Sequence, residues 1–213
     1  MNNTQFVTAI LGNEIMPTLA LASLGVPQIV ANQRALLRGV RYIERDLNAS
    51  FGAGGDSYEE KRARELEKEL KEEKLVLDFH TSSCESEPFV IIVDLEMLPL
   101  ASSMGIARVV YMKNNIKNGH ALINHHRGVS VEVGQHSDPK SFEMTLKIVD
   151  RLTKYGVKPE PTRVYEVYDR ITQKDAYTNF QPKNGIVPVL YGERAYDGLG
   201  FYGLAAREIT GTI

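Results

Sequence analysis

The chain has a single cysteine, Cys84, so no internal disulfide can form. A reducing, cytoplasmic setting is the expectation. Long apolar runs are missing as well. The longest unbroken one, Phe89-Val90-Ile91-Ile92-Val93, is far too short to cross a bilayer. No excess of charge of either sign stands out, with a formal net charge of -2 and a pI near 6.2. That gives no footprint for a nucleic-acid groove or a basic membrane surface. No basic residue precedes Arg34, so the charged start of a secretion signal is not expected. There is no internal repeat and no low-complexity segment. What is present is 213 residues, 43% of them hydrophobic, enough for one substantial core with a small appended unit.

Short apolar segments alternate with helix-like ones. Phe6–Leu11, Gln28–Ala31, Lys74–Phe79, Phe89–Leu95, Ala107–Met112 and Gly128–Val133 have the length and branching of buried strands. Ile15–Leu24 reads as a helix with Pro17 in its first turn and Gly25 as its stop. Pro139–Leu152 is an amphipathic helix with Asp138 as its N-cap. In Glu59–Lys74 only Ala63, Leu66 and Leu70 are apolar, the pattern of a solvated helix held by ion pairs. The fold class expected is α/β, a mixed central sheet flanked by helices. Lys158-Pro159-Glu160-Pro161 marks a boundary. It divides an α/β domain, residues 1–158, from a small β-rich C-terminal unit, residues 162–213, with strands at Arg163–Ile171 and Gly185–Tyr191.

In open α/β sheets ligands sit beyond the carboxyl ends of the strands. Three expected strands finish on polar groups: Gly12-Asn13-Glu14, Asp78-Phe79-His80-Thr81-Ser82-Ser83, and Glu132 within Val131-Glu132-Val133-Gly134. A glutamate and a histidine meeting at one sheet edge are zinc-type ligands. A further glutamate beside them can take a proton from a metal-bound water. Each of these alone is more often a hydrogen-bonded strand end. Their joint placement is the signal.

These segments resemble, in order, the motifs of the succinylglutamate desuccinylase/aspartoacylase family, relatives of the zinc carboxypeptidases. Gly12-Asn13-Glu14 is similar to the tail of its His-Gly-Asn-Glu motif, and Arg41 to Asn48 to its Arg…Asp-Leu-Asn-Arg segment. Asp78-Phe79-His80-Thr81-Ser82 resembles its Asp-Leu-His-x-Thr motif. Val131-Glu132-Val133-Gly134 resembles the strand of its catalytic glutamate, and Gly192-Glu193-Arg194-Ala195-Tyr196 the motif that delivers a tyrosine.

The resemblance implies a zinc-dependent amidohydrolase that removes the acyl group from a small N-acyl amino acid. It assigns Glu14 and His80 to the metal, Glu132 to general-base work, and Arg41 to the oxyanion. Asn48 and Tyr196 go to the substrate. Partners are limited to a small-molecule substrate, with no nucleic acid and no membrane, and a homo-oligomer stays open.

Two departures stand against this. The first zinc histidine falls on Leu11, which has no lone pair, and the clamp arginine falls on Ala49. Losing one ligand's share, on the order of 3 kcal/mol, weakens zinc about a hundredfold. Of His120, His125, His126 and His136, the last is the best placed to substitute; for the arginine, either Arg45 stands in or the substrate lacks the carboxylate it would grip. The rival expectation is a metal-poor homologue acting as a metabolite-binding or assembly protein.

Overall fold

One mixed sheet of nine strands organises the computed structural model, which describes residues 4–70, 74–113 and 119–209. The strands are β1 (Thr4–Thr8), β2 (Gln28–Val30), β3 (Leu75–Ser82), β4 (Phe89–Ile92), β5 (Arg108–Tyr111), β6 (Gly128–Gln135), β7 (Arg163–Ile171), β8 (Val187–Val189) and β9 (Gly203–Glu208). The helices are α1 (Ile15–Ser23), α2 (Gln33–Arg38), α3 (Tyr58–Glu69), α4 (Leu98–Ala101), α5 (Leu122–His125) and α6 (Pro139–Tyr155). The strand order is β2-β1-β3-β6-β4-β5-β7-β9-β8. The first four run parallel. Direction reverses between β6 and β4, and β5 and β7 then follow β4. β9 and β8 extend the sheet as antiparallel strands.

Period-two alternation divides the core. Leu77 and Phe79 of β3, and Val129 and Val131 of β6, pack on one face against Leu21 of α1 and Ile148, Val149 and Leu152 of α6. The opposite face carries two separate apolar clusters. One lies under α3 and α5, built on Val7, Val76, Ala63, Leu66 and Leu122. The other lies over the later strands, built on Ile91, Val110, Tyr165, Val189 and Leu204. Between them β3 and β6 present polar side chains.

Several expected boundaries move. β1 stops at Thr8, not Leu11, because Ala9 turns to a φ of 50° and residues 9–14 form a turn. β3 runs on to Ser82, since β6 pairs alongside as far as Ser82 opposite Gln135. The helix expected over Glu59–Lys74 keeps its solvated face and its apolar stripe but also buries acids at its start. Glu59, Ala63 and Leu66 are fully buried, and Ser57 and Glu60 close a capping box at its start. Residues 71–73 of that expectation, and 210–213 of the C-terminal one, lie outside the described residues. No helix among the described residues is long and apolar enough to cross a membrane.

Gly12 holds the turn after β1 against α2. A Cβ placed there would lie 2.2 Å from the backbone carbonyl carbon of Ala35, while the Gly12 N–H donates to Arg41 O at 2.9 Å. Gly12→Ala is predicted to destabilise the fold by about 2 kcal/mol or more, since backbone cannot yield as a side chain can. Urea unfolding of both proteins checks this, and equal midpoints would contradict the close approach.

Candidate functional site

The parallel register sets Asp78 of β3 opposite Ser130 of β6, and His80 opposite Glu132. Their neighbours Leu77, Phe79, Val129 and Val131 point into the apolar layer. The four polar side chains therefore share the other face. Ser130 Oγ donates to Asp78 Oδ2 at 3.3 Å. A turn closed by Glu14 N–H on Leu11 O, 3.0 Å, brings Glu14 over this strip at the start of α1.

His80 is the hub. Its Nδ1 donates to Glu14 Oε2 at 3.0 Å and its Nε2 donates to Asp78 Oδ2 at 2.7 Å. All three residues are buried. Two acceptors, one at each ring nitrogen, are matched only when both carry protons. Burial works against the charged ring, but Asp78 and Glu14 outweigh it and raise the His80 pKa well above its usual value.

Glu132 reaches partial exposure as a residue, yet its Oε2 is enclosed and has no hydrogen-bond partner among the described residues. Burial pushes its carboxyl up to about 8, against the pull of His80 and with help from Glu14, Glu193 and Asp78. Even beside the charged His80, Glu132 holds a proton at neutral pH.

Arg41, Asn48 and Tyr196 line the same cavity of about 90 Å³ as Leu11, Glu14, His80 and Glu132. Arg41 Nη2 pairs with Asp46 at 3.0 Å, and Asp46 and Glu14 hold its charge despite burial. Asn48 Oδ1 accepts the Leu122 N–H at 3.0 Å, so its amide nitrogen is the group left to donate. Tyr196 is buried against Phe201, and burial followed by Glu193 raises its pKa well above the usual value.

Three contributors were not assigned from the sequence. Asp78 and Glu193 were read only as motif letters. Glu193 accepts the N–H groups of Ser83 and Ala195 at the cavity wall. Glu59 is the third, and it sets the Arg41 loop. Its carboxylate accepts the N–H groups of Ile43, Glu44 and Arg45 at 2.7, 3.1 and 3.2 Å. In the sequence Glu59 stands in a run of charged residues, and nothing there sets it apart.

The proposed stand-ins do not reach the site. None of His120, His125, His126 or His136 lines the cavity. His136 is held by Thr81 at 2.7 Å and Asn13 at 3.2 Å. His120 bonds Phe51 O, and Arg45 pairs with Glu60. Leu11 is 4% exposed, packed in the cluster with Val7 and Ile10.

A metal-ligating imidazole keeps a carboxylate on its far nitrogen, and Asp78 stands so toward His80. Glu14 and His80 Nδ1 then supply two donors, and the orphaned Oε2 of Glu132 faces the same space. A catalytic zinc keeps three protein ligands. Among the described residues no group of three or more His, Cys, Asp or Glu side chains is placed to hold a metal. The donor set fits a zinc ion in two of its three places.

The family model of the succinylglutamate desuccinylase/aspartoacylase catalytic domain matches residues 9–155. Among solved structures, the succinylglutamate desuccinylase from Chromobacterium violaceum is 18% identical with a TM-score of 0.76, covering 98% of this chain and 85% of that one. Murine aminoacylase 3 is 19% identical with a TM-score of 0.74, covering 97% and 95%. The product-bound ectoine utilization protein EutE (DoeB) from Ruegeria pomeroyi is 17% identical with a TM-score of 0.65, covering 99% and 82%. At these identities the likeness shows a shared fold. No curated protein matches the sequence.

Glu132 binds its proton more tightly in the folded chain than in the unfolded one. Its folded value of about 8 lies above the ordinary 4.5. The folded state is therefore favoured through this group at low pH and loses that advantage as pH rises between those values. His80, with its raised value, acts with the same sign as pH rises above 6.5. Glu132→Gln, with metal chelated, is predicted to be more stable than the parent at pH 8, on the order of 2 kcal/mol, and nearly equal at pH 4.5. Urea unfolding at both pH values reads the difference, and a pH-independent difference would contradict the buried-acid assignment.

Proposed function

The chain belongs to the succinylglutamate desuccinylase/aspartoacylase family, and from that premise we propose that it is a deacylase of small N-acyl amino acids whose site has lost one metal ligand. One observation carries the reading. Glu14, Arg41, Asn48, His80, Glu132 and Tyr196 come from five separate segments and meet at one cavity.

Glu14 and His80 would hold zinc, with Asp78 orienting the ring. When bound, zinc supplies Lewis acidity toward the amide carbonyl and acidifies a water. Glu132 would be the carboxylate, and so the base, when a cation is held beside it. Glu132 takes the proton of the attacking water and delivers it to the leaving amine. Arg41, already fixed by Asp46, donates to the carbonyl oxygen as charge builds on it. The Asn48 amide nitrogen donates to the substrate carboxylate, and Tyr196 closes the wall opposite.

The second reading, a metal-poor metabolite-binding or assembly protein, is favoured by Leu11. Its side chain belongs to an apolar cluster where the family has an imidazole. Purified protein supplied with zinc and a panel of N-acyl amino acids separates the two. Release of free amine supports the deacylase, and binding without release supports the alternative.

Glu132→Gln is predicted to fold and to lose amidase activity, since glutamine cannot accept the water proton. Turnover equal to the parent's would remove Glu132 from the role of base.

Leu11→His is predicted to tighten zinc by about two orders of magnitude, by restoring a third donor across the turn from Glu14. Competition with a chelator measures both affinities. Equal, tight binding would mean that another residue already completes the set.

A further inference from the structure

Resting on the deacylase reading, we infer that the cavity selects N-acyl amino acids with an apolar side chain and rejects those that carry a second carboxylate. Five large apolar side chains line it, Leu11, Ile91, Met112, Ile123 and Leu190, and two alanines join them. Its charged lining is mostly acidic. Glu14, Glu132 and Glu193 face it, and Arg41 is the only arginine or lysine that does so among the described residues. That guanidinium is already paired with Asp46. The other cation, His80, is flanked by Glu14 and Asp78. Arg45, the nearest spare guanidinium in sequence, is engaged by Glu60.

With Arg41 given to the carbonyl oxygen, the pocket offers Asn48 to one carboxylate, the α-carboxylate common to every N-acyl amino acid. A side-chain carboxylate finds no further arginine or lysine among the described lining residues. It would lie among acids on an apolar floor, where an unpaired charge is expensive to bury. An aliphatic side chain instead covers the Ile91, Met112 and Ile123 surface and gains its burial energy.

Calorimetric titration of the full chain with N-acetyl-leucine and with N-acetyl-aspartate tests this. The leucine compound is expected to bind at least about tenfold more tightly. Ala49→Arg adds a guanidinium at a half-buried position beside Asn48. It is expected to tighten N-acetyl-aspartate about tenfold while moving N-acetyl-leucine by less than about threefold. Amine release from both compounds is read separately with zinc present. The binding preference without release supports the selectivity and ends the deacylase reading. N-acetyl-aspartate bound as tightly, or cleaved as fast, as the leucine compound overturns the selectivity and leaves the deacylase reading standing. Binding of neither compound also overturns the selectivity.

Discussion

His80 is bonded at both ring nitrogens, to Glu14 from the turn after β1 and to Asp78 from its own strand, and the placement of the other site groups follows from that double hold. An imidazole with two carboxylate partners has one orientation and one protonation pattern. It fixes where the α1 start lies relative to the β3 end. Those two elements in turn bound the space that Glu132 looks into. Burial first, and then the negative charge of Glu14, Glu193 and Asp78, explains why Glu132 keeps its proton against the pull of His80.

The sheet makes this arrangement by simple means. Alternation sends Leu77, Phe79, Val129 and Val131 into one apolar layer and leaves Asp78, His80, Ser130 and Glu132 as a stripe on the other side. That stripe splits the second layer into two clusters, and the cavity opens where they part. Burying such a stripe is costly unless its members bond one another, and three of the four do. Leu11 belongs to one apolar wall of the split rather than to the stripe. Leu11 therefore extends the hydrophobic surface toward Glu14 and His80.

The site was legible where strand periodicity and polarity disagreed. A glutamate between valines in β6, and a histidine after the apolar run of β3, are visible without a structure. The turn that carries Glu14 was read as the end of a strand, because Ala9 and Ile10 are as apolar as the residues before them and only the backbone angle at Ala9 reveals the break. Glu59 was hidden by its neighbours. Charge patterning marks a helix as solvated, but one acid at its first turn is buried by the backbone N–H groups it collects from a distant loop. β9, with the sequence Gly-Leu-Ala-Ala-Arg-Glu, carries no β-branched residue and takes its strand form from pairing with β7 and β8. The short helices α2, α4 and α5 each offer too few residues for a helical period to show.

The central claim is that Glu14 and His80 form what remains of a metal site, with Leu11 in the place of its third ligand. Crystals grown with zinc, measured for anomalous scattering at the zinc edge, address it directly. The account predicts partial zinc density contacting Glu14 and His80 Nδ1, Asp78 still bonded to Nε2, and no third protein donor. Full-occupancy zinc with a third side chain bound, or zinc held only elsewhere on the molecule, would contradict it.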